Sequence, residues 1–293
     1  MSGMAHYSRG ELMRRRFFDE KRMLRGFGFS FLLVMAVIIV IPFVYLFATS
    51  LKDMGQYYST DIRDMWFPSP LHFENYAITF EQVPLLTYIA NSMWLGATQT
   101  LLSVFTSALV AYGFSRFKFP GRDFLFIILL ATMMLPSEVL NIPLLLFYKE
   151  IGWTNTFYPL IVPYAFGGAW NIFLIRQMML NVPKEYDEAA WLDGAGTFRT
   201  YWSITLPQVV PALIVTALFT FLWSWKDVLG PLFFIKSKEM YTLPLGLLFY
   251  ESPTDKQLTI QLAAVVVALV PTLLIYLVGQ RYFERGINVT DLK

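Results

Sequence analysis

Charged residues drop out of the chain in long stretches. Gly26–Leu51, Gln82–Ser115, Ile151–Ile175, Thr200–Trp225 and Gln257–Gln280 contain no Asp, Glu, Lys or Arg. Each exceeds the ~20 residues that carry a helix across ~30 Å of hydrocarbon. A sixth run, Phe124–Ser137, is 14 residues long and resumes beyond Glu138 as Val139–Tyr148. The two halves read as one span with an internal acid. That acid costs ~2.5–3.5 kcal/mol at a helix centre, while each of about a dozen neighbouring Leu, Ile, Phe or Val residues returns ~0.3–0.6 kcal/mol. The runs show no period-2 alternation, which excludes a barrel. The pattern predicts an all-α integral membrane fold of six transmembrane helices, at about 28–50, 90–113, 124–147, 157–176, 206–226 and 260–281.

Composition agrees. Apolar residues make up 56% and charged residues 15%, against roughly 25% charge in a soluble domain. A net charge of +2 gives no support to nucleic-acid binding, and the absence of cysteine excludes disulfides and thiolate chemistry. Seven Lys and Arg precede the first span, which the positive-inside rule keeps in the cytoplasm. With six spans both termini are cytoplasmic, and Lys plus Arg divide 16 inside to 7 outside. This gives a cytoplasmic N-terminal segment (1–27), a membrane domain (28–283) and a cytoplasmic tail (284–293). The first apolar run, at 26 residues, is too long for the h-region of a signal peptide and reads as an uncleaved span. The outer loop from Lys52 to Tyr88 reads as an ordered cap with turns. Its acids, among them Asp53 and Asp61, read as a solvated surface.

The inner loop from Asn181 to Pro207 differs from the rest: it is polar and helix-forming. Asn181 or a neighbour is a candidate N-cap, with Pro183 in the first turn. Glu185 and Asp187 suit a positive helix end. On a helical wheel Tyr186, Ala189, Ala190 and Asp193 share one face, and Glu185, Glu188 and Leu192 another. Gly194 and Gly196 supply the turn that ends the helix. Thr197 is a candidate cap for the next helix, and Pro207 permits a bend at the start of the following span. A helix with side chains of interest on every face predicts a part held between two bodies.

These residues carry a family resemblance. Glu188-Ala189-Ala190, three residues, Gly194, nine residues, Ile204, one residue, Leu206-Pro207 matches all seven positions of the EAA signature of binding-protein-dependent ABC importer permeases. Further along, the chain resembles the second permease subunit of the carbohydrate class, the group of the maltose and glycerol-3-phosphate systems. Ser50-Leu51-Lys52, Phe73-Glu74-Asn75-Tyr76, Asn91-Ser92, Ala111-Tyr112-Gly113-Phe114-Ser115-Arg116 with Phe119-Pro120-Gly121-Arg122, Met134-Leu135-Pro136, Pro143-Leu144 and Gln280-Arg281-Tyr282-Phe283 support it. Two places depart from the family pattern: Trp225-Lys226-Asp227 stands where a Trp-Asn pair is usual, and the tail after Gly286 is atypical.

The resemblance implies an ABC type I importer permease fold whose loop is a coupling helix. Glu188, Ala189, Ala190 and Gly194 would meet a separate ATPase, and Ile204, Leu206 and Pro207 would join the loop to the fifth span. It implies as partners a second homologous permease, a dimer of ATP-binding cassette subunits and an extracytoplasmic solute-binding protein, in a bacterial or archaeal inner membrane. No cofactor would bind this chain, and ATP and Mg would bind the ATPase. The solute would be a sugar, a polyol or a sugar phosphate. No phosphate-binding loop is present, so the chain reads as a transport subunit and not an enzyme. Glu138, between Pro136 and Pro143, is a candidate gate, and Trp223 and Trp225 are candidate pathway residues. Two alternatives stand beside this reading: an ABC permease for another solute such as an amino acid or peptide, and a stand-alone secondary transporter. The second predicts inverted repeats, which are not evident.

Overall fold

In a computed structural model, residues 9–250 and 258–287 are described. Parts of the expected N-terminal segment (1–8), last outer loop (251–257) and tail (288–293) lie outside the described residues. The helices are α1 (Arg9–Ser50), α2 (Met54–Tyr57), α3 (Ile62–Trp66), α4 (Glu74–Gln82), α5 (Leu85–Arg116), α6 (Arg122–Thr132), α7 (Ser137–Glu150), α8 (Tyr158–Ile161), α9 (Ala169–Asn181), α10 (Glu185–Leu192), α11 (Thr197–Thr200), α12 (Leu206–Gln208), α13 (Val210–Lys226), α14 (Leu229–Phe234), α15 (Leu243–Leu248) and α16 (Leu258–Ile287). The described residues contain no strand. They form two compact units, one ending at Asn75 and the other beginning at Tyr76.

In the first unit, the stretch Arg25–Ser50 of α1 is long and apolar enough to span a membrane. Its Phe, Leu, Val and Ile side chains are largely exposed, a surface that hydrocarbon tolerates and water does not. The segment after α1 is ordered by its polar groups. Asp53 and Asp61 are helix N-caps: Asp53 forms a capping box with Gln56, and Asp61 accepts from the Arg63 N–H at 2.8 Å. These two acids therefore build the cap instead of only solvating it. The Asn75 side-chain amide ties the segment back by donating hydrogen bonds to the carbonyls of Ser50 and Lys52, both at 2.9 Å.

The second unit is organised around α5, which packs on α9 and α13, while α13 also packs on α16. Small residues on α5 make this possible. Gly96, Ser103, Ser107, Ala108 and Ala111 are buried, and close approach through small side chains is how helices associate without a hydrophobic driving force. At Gly96 an added Cβ would lie 3.0 Å from the Phe221 ring. Several buried polar groups along α5 are paired across the bundle. Gln99 donates to the Leu160 carbonyl at 2.7 Å, and Ser92 accepts from the Leu243 N–H at 2.8 Å.

Among the described residues four helical stretches are long and apolar enough to cross a membrane, and a fifth is counted if Thr197–Gln208 and Val210–Lys226, bent by 78°, form one broken span. The expected span at 124–147 is not one helix. It divides into α6 and α7, with Met133–Pro136 between them. The cause is local: Pro136 has extended ψ, and a proline disfavours helix in the residue before it. The expected span at 157–176 is among the four, as Tyr158–Asn181, with a local break at Gly167, at φ +83°, and the extended Gly168.

Helix α15 approaches α5 closely enough that a Cβ at Gly246 would fall 2.2 Å from the Tyr88 ring. Gly246→Ala should therefore destabilise the detergent-solubilised chain by ~1–3 kcal/mol through overpacking. Gly113→Ala, on a helix where the added carbon meets nothing within 4 Å, should raise stability by ~0.5–1 kcal/mol. Thermal unfolding of the two variants checks the opposite signs.

Candidate functional site

The loop from α9 to α13 is built around a buried charge. Asp187, in the first turn of α10, is 1% exposed. It contacts Arg116, in the last turn of α5, and both side chains are 2% exposed. Arg116 Nε and Nη1 and Asp187 Oδ2 have no hydrogen-bond partner of good geometry among the described residues. The contact therefore acts as Coulomb attraction at short range. Aligned bonds complete the site. Thr205 donates its hydroxyl to Asp187 Oδ1 at 2.8 Å, and Arg116 Nη2 donates to the Val182 carbonyl at 3.1 Å. Four segments thus meet at one point: the end of α5, the α9–α10 link, α10 and the stretch before α12. Around them lies an apolar cluster including Tyr112, Met179, Val182, Tyr201 and Val209. The rings of Tyr112 and Tyr201 stand 5.1 Å apart.

Helix α10 ends in a Schellman turn. The Ala195 N–H donates to the Ala190 carbonyl at 2.9 Å and the Gly194 N–H to the Trp191 carbonyl at 3.0 Å. Gly194 has φ +83°, and a Cβ there would meet no atom within 4 Å. The glycine is required by backbone conformation and not by space. The expected caps fall elsewhere. Asn181 is the last residue of α9, Lys184 precedes α10 without a side-chain cap, and Gly196, not Thr197, sits at the N-cap of α11. Beyond α11, Tyr201–Thr205 forms a π-helix. The 78° bend follows Pro207, at Val209.

One face of α10 lines a groove of about 470 Å3. Tyr186, Ala189, Ala190 and Asp193 form one wall and Arg199 and Ile204 the other. This is the face the wheel grouped. Glu188 lies outside it and is exposed. Large apolar side chains stand out from the loop: Leu192 is 90% exposed and Phe198 67%, with Tyr186, Trp191 and Trp202 also exposed. Leu206 packs on the apolar cluster, and Pro207 is exposed.

The remaining candidates lie apart from the loop. Glu138 is exposed in the first turn of α7. Trp223 lines a separate cavity of about 690 Å3. Trp225 is 5% exposed and stacks on Phe221 in the cluster with Leu85, Tyr88 and Leu243. Lys226 and Asp227 form no ion pair with each other. The Lys226 ammonium lies 4.8 Å from the centroid of Trp223, and Asp227 accepts from the Gly230 N–H at 3.0 Å.

Sequence reading missed Asp187, Arg116 and Thr205. On the wheel Asp187 lies well away from Leu192, but the wheel does not say which of the two faces inward. Hydropathy alone turns the leucine inward and the aspartate outward, the reverse of what is found. Removing either charge leaves the other buried and unpaired, at a cost of ~3–5 kcal/mol, whereas replacing both with apolar side chains is near neutral. Asp187→Ala and Arg116→Ala should each lower the apparent melting temperature sharply, and Arg116→Met with Asp187→Leu should restore most of it. Thermal unfolding in detergent checks this order.

Comparison with known proteins converges on one family. Residues 103–289 match the profile described as binding-protein-dependent transport system inner membrane component. The arabinooligosaccharides transport system permease protein AraQ of Halalkalibacterium halodurans is 32% identical over 96% of this chain and 100% of its own length. The diacetylchitobiose uptake system permease protein NgcG of Streptomyces coelicolor is 30% identical over 92% of this chain and 89% of its own. In architecture the chain is similar to a subunit in the crystal structure of a bacterial ABC transporter that imports alginate, with a TM-score of 0.76 at 21% identity, covering 96% of this chain and 100% of that one. The seven EAA positions and the near full-length match to these permeases lead to the same conclusion: this chain is a membrane transport subunit that belongs to the binding-protein-dependent transport system inner membrane component family.

Proposed function

We propose that the protein is the permease subunit of an ATP-driven importer for a saccharide or a related polyol or sugar phosphate. It spans the inner membrane with both termini in the cytoplasm. The observation that carries this reading is the apolar surface of the α10–α11 loop, with Leu192 90% and Phe198 67% exposed. The loop lies beyond the long apolar helices and is held by a buried charge pair. A polar loop that turns its leucine outward and its aspartate inward is shaped for a protein partner. The oligosaccharide relatives support a carbohydrate solute.

In this reading α10 is the coupling helix. Glu188, Ala189, Ala190 and Gly194 meet an ATP-binding cassette subunit, one of a pair, and ATP and Mg belong to that pair. Ile204, Leu206 and Pro207 carry the motion into α13. A second homologous permease completes the pathway, and an extracytoplasmic solute-binding protein delivers the solute. Coupling is then a bias applied to a two-state bundle by ligand binding on a neighbouring subunit. The alanines matter by their size, since they leave the groove beside Tyr186 open.

Glu188→Lys reverses a charge on the exposed side of α10, and Gly194→Leu forces a left-handed turn on a branched residue, straining it by roughly 1–2 kcal/mol. Both variants should insert into the membrane at normal levels. In vesicles carrying the whole importer, each should reduce ATP-dependent uptake at least tenfold while ATP hydrolysis persists. Uptake at the unmodified rate by both variants, or uptake by this chain with no ATPase present, overturns the proposal.

A further inference from the structure

The cavity beside Trp223 has two kinds of wall. One is aromatic. Trp170 and Phe219 meet edge to face with centroids 5.1 Å apart, and Trp223, a residue 64% exposed, lines the same space. The other is a buried polar floor. Asn171 donates its amide to the hydroxyl oxygens of Ser103 and Thr220 at 2.9 and 3.0 Å. These residues are 4%, 1% and 7% exposed. Each hydroxyl therefore accepts from the amide, while its own hydrogen has no acceptor among the described residues.

A break in the helix adds donors. The chain turns at Gly167, where a Cβ would lie 3.1 Å from the Ser107 hydroxyl, and α9 begins beside the cavity at Ala169. The Gly168 N–H goes to Ser107 at 3.0 Å, and Gly168, Ala169 and Trp170 line the space. No side chain caps α9, so its first N–H groups remain available. Interrupted helices of this kind frame solute sites in transporters. A volume of about 690 Å3 falls in the range of small-molecule sites. No Asp, Glu, Lys or Arg is among the lining residues.

We propose that this cavity is a solute seat on this subunit and that its occupant is an uncharged saccharide. The proposal rests on the importer reading above and narrows it. A sugar ring has an apolar C–H face and a hydroxyl edge. The cavity matches both, with aromatic faces for the first and Ser103, Thr220 and the α9 amides as donors to the second. A lipid chain or an apolar partner helix would leave the two hydroxyl hydrogens buried without acceptors. A uronate or phosphate would lose its hydration without a counter-charge. The partial charge of the α9 N-terminus is too small to offset that loss. Lys226, though close to the Trp223 ring, is not part of the lining.

The test is equilibrium binding of radiolabelled probes to the assembled importer in nanodiscs, without the solute-binding protein. Maltotriose, arabinotriose and diacetylchitobiose are the neutral probes, and digalacturonate and glucose 6-phosphate the charged ones. At least one neutral probe should bind, in preference to both charged probes. Trp223→Ala should raise its half-saturating concentration at least tenfold, Thr220→Val at least threefold, and Trp223→Phe less than threefold. Preference for a charged probe, binding by no neutral probe, or unchanged affinity in both Trp223→Ala and Thr220→Val overturns the proposal. If Trp223→Ala fails to assemble, Thr220→Val, which keeps the side-chain volume, decides alone. Unchanged affinity alongside loss of uptake in Glu188→Lys removes the seat and leaves the importer. Normal uptake in both Glu188→Lys and Gly194→Leu removes the importer reading itself.

Discussion

The pairing of Arg116 with Asp187 fixes most of what surrounds it. Two charges taken out of water cost several kcal/mol each unless they stay together, and both side chains are 2% exposed. The end of α5 and the start of α10 are therefore not free to part. Thr205 adds its hydroxyl to the same carboxylate, which draws the π-helix of Tyr201–Thr205 to that point. Such irregular turns persist where surrounding structure holds them. The orientation of α10, the groove along one side of it and the exposure of Leu192 all follow from where Asp187 is held.

The same constraint explains what the sequence concealed. Charge-free runs locate the apolar helices, because hydrocarbon leaves little choice. The Gly194 turn and the shared face of Tyr186, Ala189, Ala190 and Asp193 are also legible, because each depends only on local geometry. Asp187 and Leu192 are not, because their placement depends on a neighbouring helix and on an uncovered apolar surface. Asp53 and Asp61 look like surface charge, yet each caps a helix. The divided α6–α7 segment shows the limit of summing hydropathy. The sum favours insertion across Glu138, but it carries no information about where Pro136 breaks the backbone.

The buried polar residues of the second unit follow a consistent logic. Ser92, Gln99, Ser103 and Ser107 lie along α5, and each bonds to a different element: α15 through Leu243, α8 through Leu160, α9 through Asn171, and the link before α9 through Gly168. Apolar contact alone would let these helices slide, since lipid and side chain are equally apolar. The hydrogen bonds fix their register. Asn171 is the exception in kind, because its two hydroxyl partners also face a cavity.

Loop and cavity share two rods. Helix α13 starts just past the bend next to Pro207 and carries Phe219, Thr220 and Trp223 toward its other end; its 17 residues span about 25 Å. Helix α5 carries Arg116 at one end and Ser103 farther along. A force on α10 has two outcomes. It can separate Arg116 from Asp187, at about 3–5 kcal/mol, or it can carry α5 along with it. The second avoids exposing a lone buried charge. Because Thr205 binds the same carboxylate, the segment leading into α13 is drawn the same way. On the coupling role proposed above, displacement at the loop reaches the aromatic and polar walls of the cavity through two helices moving together, with no need for a chain of side-chain rearrangements between them.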